Sequence, residues 1–151
     1  MSSSSDILII GAGVLGLASA AELARRRRRV TIVDPGGDNA SSVAAGMIAP
    51  AMESALENTT RERAGMLRAA RDLWPEFAER HSLMISAEGS EWRGPDAAAV
   101  AERLLGAGFA ARAENGLVTT PEDWRIEAEP ALKTLRSASG VTLVEGRVAR
   151  F

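Results

Sequence analysis

Six consecutive residues, Gly11-Ala12-Gly13-Val14-Leu15-Gly16, form a G-x-G-x-x-G turn, and a carboxylate, Asp34, stands 18 positions after the last glycine. Each glycine has its own physical role. Gly11 permits a tight turn out of a strand, Gly13 offers bare backbone that a pyrophosphate can approach, and Gly16 lets a helix lie close to the strand. The N–H groups at the start of that helix, with its partial positive charge, suit a diphosphate. A carboxylate at the end of the following strand accepts hydrogen bonds from two ribose hydroxyls. The same charge disfavours a 2′-phosphate, and so NADP. The spacing alone is weak evidence and gains weight from its surroundings. The plainer alternatives are a glycine turn that only packs helix on sheet, and an Asp placed for the turn at Pro35-Gly36, where Asp is common. The two roles of Asp34 are compatible.

The surroundings are those of a dinucleotide site. Ile7-Leu8-Ile9-Ile10 is a branched apolar run that reads as a fully buried strand of a parallel sheet. Val14 to Arg28 is rich in helix formers, and Val30-Thr31-Ile32-Val33 reads as a second strand. Strand, glycine turn, helix and strand make a βαβ unit. Arg25 to Arg29 lies at the helix end, where cations complement the dipole, with no interleaved aromatic; a solvated helix end is preferred to a nucleic-acid patch. Ile7 to Ala21 is not read as a signal or membrane segment. The preceding MSSSSD carries no basic residue, and Glu22 interrupts the run before it reaches spanning length. Ser2 to Ser5 read as a solvated tail.

Further along, Asp34 to Asn39 is a loop by composition, and Ser41 to Pro50 has no clear period. Thr59-Thr60-Arg61-Glu62 has the form of a capping box. A helix behind it would carry Met66, Leu67, Ala70, Leu73, Trp74 and Phe77 on one stripe, with Pro75 kinking or restarting it. Pro95-Asp96 opens another helix, with Ala97, Val100, Ala101, Leu104 and Leu105 inward and Gly106/Gly108 at its end. Leu117 to Thr120 reads as a strand. Pro130 reads as the first position of a helix closed by Gly140, Val141 to Val144 as a strand, and Val148 to Phe151 as the next one. Because Phe151 ends inside that last run, the chain is expected to be the front part of something longer. The expected division is 1–50 for the dinucleotide, 51–140 as an insertion and 141–151 as the return strand.

Composition narrows the function classes. The 151 residues are 46% hydrophobic and 25% charged, with a net charge of −2, which is ordinary globular composition and argues against a nucleic-acid partner. With no cysteine, thiolate metal sites, disulfides and cysteine nucleophiles are excluded. A single histidine, His81, leaves little room for a His-rich metal site or a Ser-His-Asp triad; it reads as a loop residue. The absence of cysteine fits a reducing, cytoplasmic compartment.

The fingerprint serves FAD and NAD alike. With DILIIGAGVLGLASAAELA, the acid after the second strand and the small-residue stretch Ser41-Ser42-Val43-Ala44-Ala45-Gly46-Met47-Ile48-Ala49-Pro50, the sequence resembles the D-amino-acid-oxidase-like FAD-dependent oxidoreductases. RAARDLWPEFAER (Arg68 to Arg80) and TPEDWRIEAEPALKTLR (Thr120 to Arg136) resemble pieces of its glycine oxidase branch, which serves thiamine biosynthesis.

The resemblance implies an α/β fold: a Rossmann-like FAD-binding βαβ core with a helical or α+β insertion, as part of a two-domain flavoprotein. It implies that Gly11, Ala12, Gly13, Val14, Leu15 and Gly16 hold the pyrophosphate of FAD and that Asp34 holds the ribose. Ser42, Ala45, Gly46 and Met47 would lie along the flavin, and Val148 by the adenine. The alternative for residues 44–47 is tight packing of a crossover segment. The implied reaction takes a hydride from the α-carbon of glycine or a similar small amine, followed by imine hydrolysis and reoxidation by dioxygen to give peroxide.

The family's carboxylate-binding Arg, often joined by a Tyr, comes from a C-terminal half not in this sequence, which has no tyrosine. No residue here is therefore given a catalytic role. Arg93 and Arg125, each beside a Trp, read as surface residues, and Trp74 and Phe77 as core. Two other readings remain open, an NAD-dependent dehydrogenase and a non-catalytic nucleotide-binding fragment. The long mixed segment from Asn39 to Gly140 fits the flavoprotein better than further regular βα units. Standing alone, an exposed flavin face and open sheet edges would favour self-association.

Overall fold

The computed structural model describes residues 5–149, which form two compact units. The first comprises residues 5–45, 81–83 and 127–149, and the second residues 46–80 and 84–126.

In the first unit, β1 (Ile7–Ile10) leads through the glycine turn to α1 (Val14–Arg25) and then to β2 (Val30–Asp34). The later helix and strand of this unit, Ala128–Arg136 and Val141–Glu145, are labelled α6 and β9 below. The β2 strand pairs in parallel with both neighbours, Ile9 opposite Ile32 and Ile32 opposite Leu143 in β9, so the sheet order is β1-β2-β9. The βαβ expectation holds. Helix α1 ends sooner than expected because Arg27 takes a left-handed φ of 62°. The packed side of α1 is Leu17, Ala20 and Ala21, which meets the Ile9, Val30 and Ile32 side of the sheet.

The first strand is not fully buried, contrary to its apolar sequence. Ile7 and Ile9 are half-buried, but Leu8 and Ile10 are 57% and 49% exposed, because α1 covers only one face. Val144, in register with Ile10 through Val33, shares that open face.

The second unit contains β3 (Met47–Ile48), α2 (Pro50–Leu56), α3 (Arg61–Asp72), α4 (Trp74–His81, whose final residue belongs to the first unit), β4 (Ile85–Ser86), β5 (Ser90–Arg93), α5 (Ala97–Gly106), β6 (Arg112–Glu114), β7 (Leu117–Thr120) and β8 (Trp124–Ile126). Two small antiparallel sheets result, β3-β8-β4 and β5-β7-β6. The core joins Ala51, Met52 and Ala55 of α2, Ala64 of α3, and Val100, Ala101 and Leu104 of α5 to Phe109 and Val118. Its small alanines let α2 lie close to α3 and α5.

Several sequence expectations shift here. The cap of α3 is Thr60, whose hydroxyl accepts from Arg63 N–H at 3.2 Å, one place later than the capping-box pattern suggests. The helix stops at Asp72 and restarts at Trp74, so the apolar stripe does not continue across the break. Met66 and Leu73 are exposed, Trp74 and Phe77 are only half-buried in an edge-to-face pair at 5.6 Å, and the buried positions belong to Ala64, Arg71 and Ala78. In α5, Leu105 faces outward, one 100° step beyond buried Leu104. His81 ends a helix instead of lying in a loop, and its Nε2 is 3.0 Å from Glu22 Oε1.

Helix α6 begins two residues before Pro130, which the first turn tolerates because its missing N–H has no intrahelical partner. Val148 and Ala149 do not form the expected strand, and residues 150–151 lie outside the described residues, as do Ser2 to Ser4 of the serine tail.

Leu104 is fully buried in the second unit. Leu104→Ala should cost about 2–5 kcal/mol of unfolding free energy in a denaturant titration. A loss below about 1 kcal/mol would show that the cluster around it is not a packed core.

Candidate functional site: the glycine turn and the end of the second strand

The turn after β1 is built by three different demands on its glycines. Gly11 has φ +98°, which other residues rarely adopt, and its N–H donates to Val33 O at 2.9 Å. A Cβ at Gly16 would overlap the carbonyl oxygen of Gly11, so only glycine lets the first turn of α1 sit against the end of β1. Gly13 is the N-cap of α1, and its carbonyl accepts from Leu17 N–H at 3.0 Å. The first N–H groups of a helix have no intrahelical acceptor. That of Val14 donates to Ser41 Oγ at 3.0 Å, and a Cβ on Gly13 would come within 3.2 Å of the same oxygen. Leu15 and Gly16 complete the first turn.

Asp34 ties the turn to the strand that follows it. Its Oδ2 accepts from Ala12 N–H at 2.7 Å and its Oδ1 from Gly36 N–H at 2.9 Å. These bonds make it both a strut under the glycine loop and a turn residue. The Ala12 N–H holds the Asp34 carboxyl below the usual 3.8; partial burial opposes this, and the Gly36 N–H and the Arg136 charge reinforce it. A carboxylate has about four lone-pair directions, so two remain for ribose hydroxyls.

The loop after Asp34 is ordered by Asn39, whose Oδ1 accepts from the N–H groups of Ser41 (2.9 Å) and Ser42 (3.1 Å). Ser42 turns inward to this loop: its hydroxyl donates to Asn39 O at 2.9 Å and accepts from Asn39 N–H at 3.0 Å. Ser41 is the member of the pair that reaches the helix start. The sequence reading names Ser42 and not Ser41, since no local signal marks which of two adjacent hydroxyls meets the helix start. Ala45 closes this stretch, exposed, and Val148 follows β9, half-buried.

Gly46 and Met47 belong to the second unit. Gly46 has φ +72°, its carbonyl accepts from Ile126 N–H at 2.9 Å, and a Cβ there would overlap Ile126 O. Met47, paired with Arg125, is 49% exposed. Both Arg93 and Arg125 are exposed, and Arg93 pairs with Glu91 on its own strand. Among the described residues no group of three or more His, Asp or Glu could hold a metal ion, and no helix is long and apolar enough to cross a membrane.

The family model described as FAD dependent oxidoreductase matches residues 6–151. The chain belongs to that family. The family's dinucleotide is FAD, and the residues present fit it: a glycine-bared helix start for a diphosphate, backed by a carboxylate at the end of the next strand.

A curated glycine oxidase of Geobacillus kaustophilus (strain HTA426) is 41% identical over 76 residues, which are 49% of this chain and 19% of that protein. The crystal structure of glycine oxidase from Geobacillus kaustophilus superposes with a TM-score of 0.77 at 25% identity, covering 93% of this chain and 46% of that one. Iminodiacetate oxidase from Chelativorans sp. BNC1 shares the fold (TM-score 0.69, 21% identity, 91% of this chain and 46% of that one). The chain thus spans less than half the length of these relatives.

Gly13→Val should abolish FAD retention while leaving the apo fold nearly intact, because the Ser41 hydroxyl oxygen is the one atom a Cβ there would meet within 4 Å; full cofactor content in the purified variant would remove the turn as the phosphate cradle. Asp34→Ala should weaken FAD binding by about 1.5–3 kcal/mol through loss of charge-assisted bonds, measured by flavin titration. Unchanged affinity would take Asp34 out of the site.

The pH dependence has a definite sign. With the folded-state value of Asp34 lowered, its stabilisation is complete above 3.8 and lost as pH falls through the lower folded value. Asp34→Asn should therefore flatten the acid limb of the stability profile below about pH 4, read from denaturation midpoints; an unaltered limb would contradict the Ala12 contact.

Proposed function

We propose that the protein carrying this chain is a glycine-oxidase-like amine oxidase that converts glycine or a similar small amino acid, with water and dioxygen, to the oxo acid, ammonia and hydrogen peroxide. The observation that carries this reading is the 41% identity to glycine oxidase over 76 residues, joined to the geometry of the glycine turn and Asp34. In this reading Gly11, Ala12, Gly13, Val14, Leu15 and Gly16 receive the pyrophosphate, Asp34 the ribose, and the Val148 backbone the adenine. Ser42, Ala45, Gly46 and Met47 line the flavin. The segments 1–50 and 141–151 serve the dinucleotide, and 51–140 the substrate side. The chemistry FAD supplies when bound is uptake of two electrons and their delivery to dioxygen.

This chain's own residues bind and orient. The N–H groups at the start of α1 meet the negative diphosphate, and Asp34 sets the sugar while bracing the turn from below. The recognition of the substrate carboxylate is left to residues outside this sequence. A place in thiamine biosynthesis and a cytoplasmic location complete the proposal. They are supported by the likeness to glycine oxidase and by the absence of cysteine.

The test is direct. The purified full-length protein should be yellow, release its flavin on denaturation, and form peroxide with glycine but not with a bulky amino acid. A colourless protein, or a flavoprotein inert towards every small amine, would sink this reading.

A further inference from the structure

The geometry points to Asp123 as a positioning residue for the backbone from Gly46 to Met52, and through it for the Gly46–Met47 stretch beside the flavin; the inference rests on the proposed function. Asp123 is completely buried, and no cation pairs with it among the described residues. Its two oxygens are met by hydrogen-bond donors instead. Oδ1 accepts from Ala51 N–H at 2.7 Å, and Oδ2 accepts from Met52 N–H at 3.0 Å and from the Ser90 hydroxyl at 2.7 Å. Helix α2 opens with Pro50, which has no N–H, so Ala51 and Met52 present its first two N–H groups, and both go to this one carboxylate.

The residues that follow Asp123 hold the other end of the same stretch. Trp124 pairs with Ile48, Arg125 with Met47, and Ile126 N–H donates to Gly46 O. Four consecutive residues, 123–126, therefore act as a template: three fix 46–48 by strand pairing, and the first clamps the helix start at 51–52 by its side chain. Gly46 fits this template so closely that a side chain there would overlap Ile126 O. The template is itself held from α3. Arg71, only 8% exposed, stacks over the Trp124 ring at 4.7 Å and donates to Glu122 O at 2.6 Å and Glu122 Oε2 at 2.9 Å.

With the strand pairs fixing one end and Asp123 the other, residues 49 and 50 have little room to move. Loss of the Asp123 clamp frees one end of the segment. The carboxylate acts through the segment it holds and not on substrate. An amide in its place has one acceptor oxygen and turns an N–H₂ towards groups that are themselves donors.

The test compares Asp123→Asn and the milder Ser90→Ala with wild type in the full-length, FAD-loaded protein. It reads the visible absorbance and circular dichroism of bound flavin, the affinity for FAD and, separately, the affinity for ADP, which reports the glycine-turn end alone. Asp123→Asn should shift the visible flavin bands and weaken FAD by about tenfold, with ADP affinity unchanged. Ser90→Ala should change the same signals in the same direction by less, and it carries the test if Asp123→Asn does not fold. An unaltered flavin spectrum in folded variants, or equal losses for FAD and ADP, would overturn the inference. A wild-type protein without flavin fails at an earlier step, sinking the proposed function and this inference with it.

Discussion

The first unit depends on one close approach: the carbonyl of Gly11 lying where Gly16 would carry a side chain. No other residue at position 16 lets α1 begin so near the end of β1. That proximity aims the helix start, with its partial positive charge and the first-turn N–H groups that Ser41 does not take, at whatever sits beyond the strand ends. Asp34 then closes the arrangement from the neighbouring strand by accepting from Ala12 N–H. The negative side chain stays under the loop, and the positive helix end stays above it. A dinucleotide has matching parts, a diphosphate for the helix and a sugar for the acid.

The second unit solves a different problem with similar means. Its core mixes four alanines with five larger apolar side chains, and its strands are only two to four residues long. Such short strands hold little by themselves. Buried polar groups fix them in place: Asp123 on the start of α2, and Arg71 on Glu122 and Trp124. Burying these groups is costly unless each is matched, and here each is matched at several atoms. Placing a short backbone segment accurately is a use for which polar anchors suit better than apolar packing, because they have direction.

The βαβ unit and the acid at its end were legible in the sequence because local physics dictates them. A branched apolar run, three glycines at fixed spacing and a helix-forming stretch leave few other structures. The choice of FAD over NAD came from longer-range likeness, since the two share the same diphosphate and sugar. What misled was mostly periodicity. The stripe from Met66 to Phe77 reads as one helical face, but α3 already buries Ala64 and Arg71 in place of Met66 and Ala70, and the chain then restarts at Trp74. Likewise, four apolar residues in β1 suggest burial on both faces, whereas only one face is covered among the described residues.

The sequence by itself determined the glycine turn, its helix, its two flanking strands and the acid, because each of these rests on neighbours within a few dozen residues. Tertiary structure alone decided which of two adjacent serines meets the helix start, and that Asp123 caps a helix some 70 positions earlier in the chain. The physical reason is that, beyond local caps and turns, the distant partner of a hydroxyl or a carboxylate is not written in the adjacent sequence. Such a group bonds whichever donor the folded backbone carries to within about 3 Å.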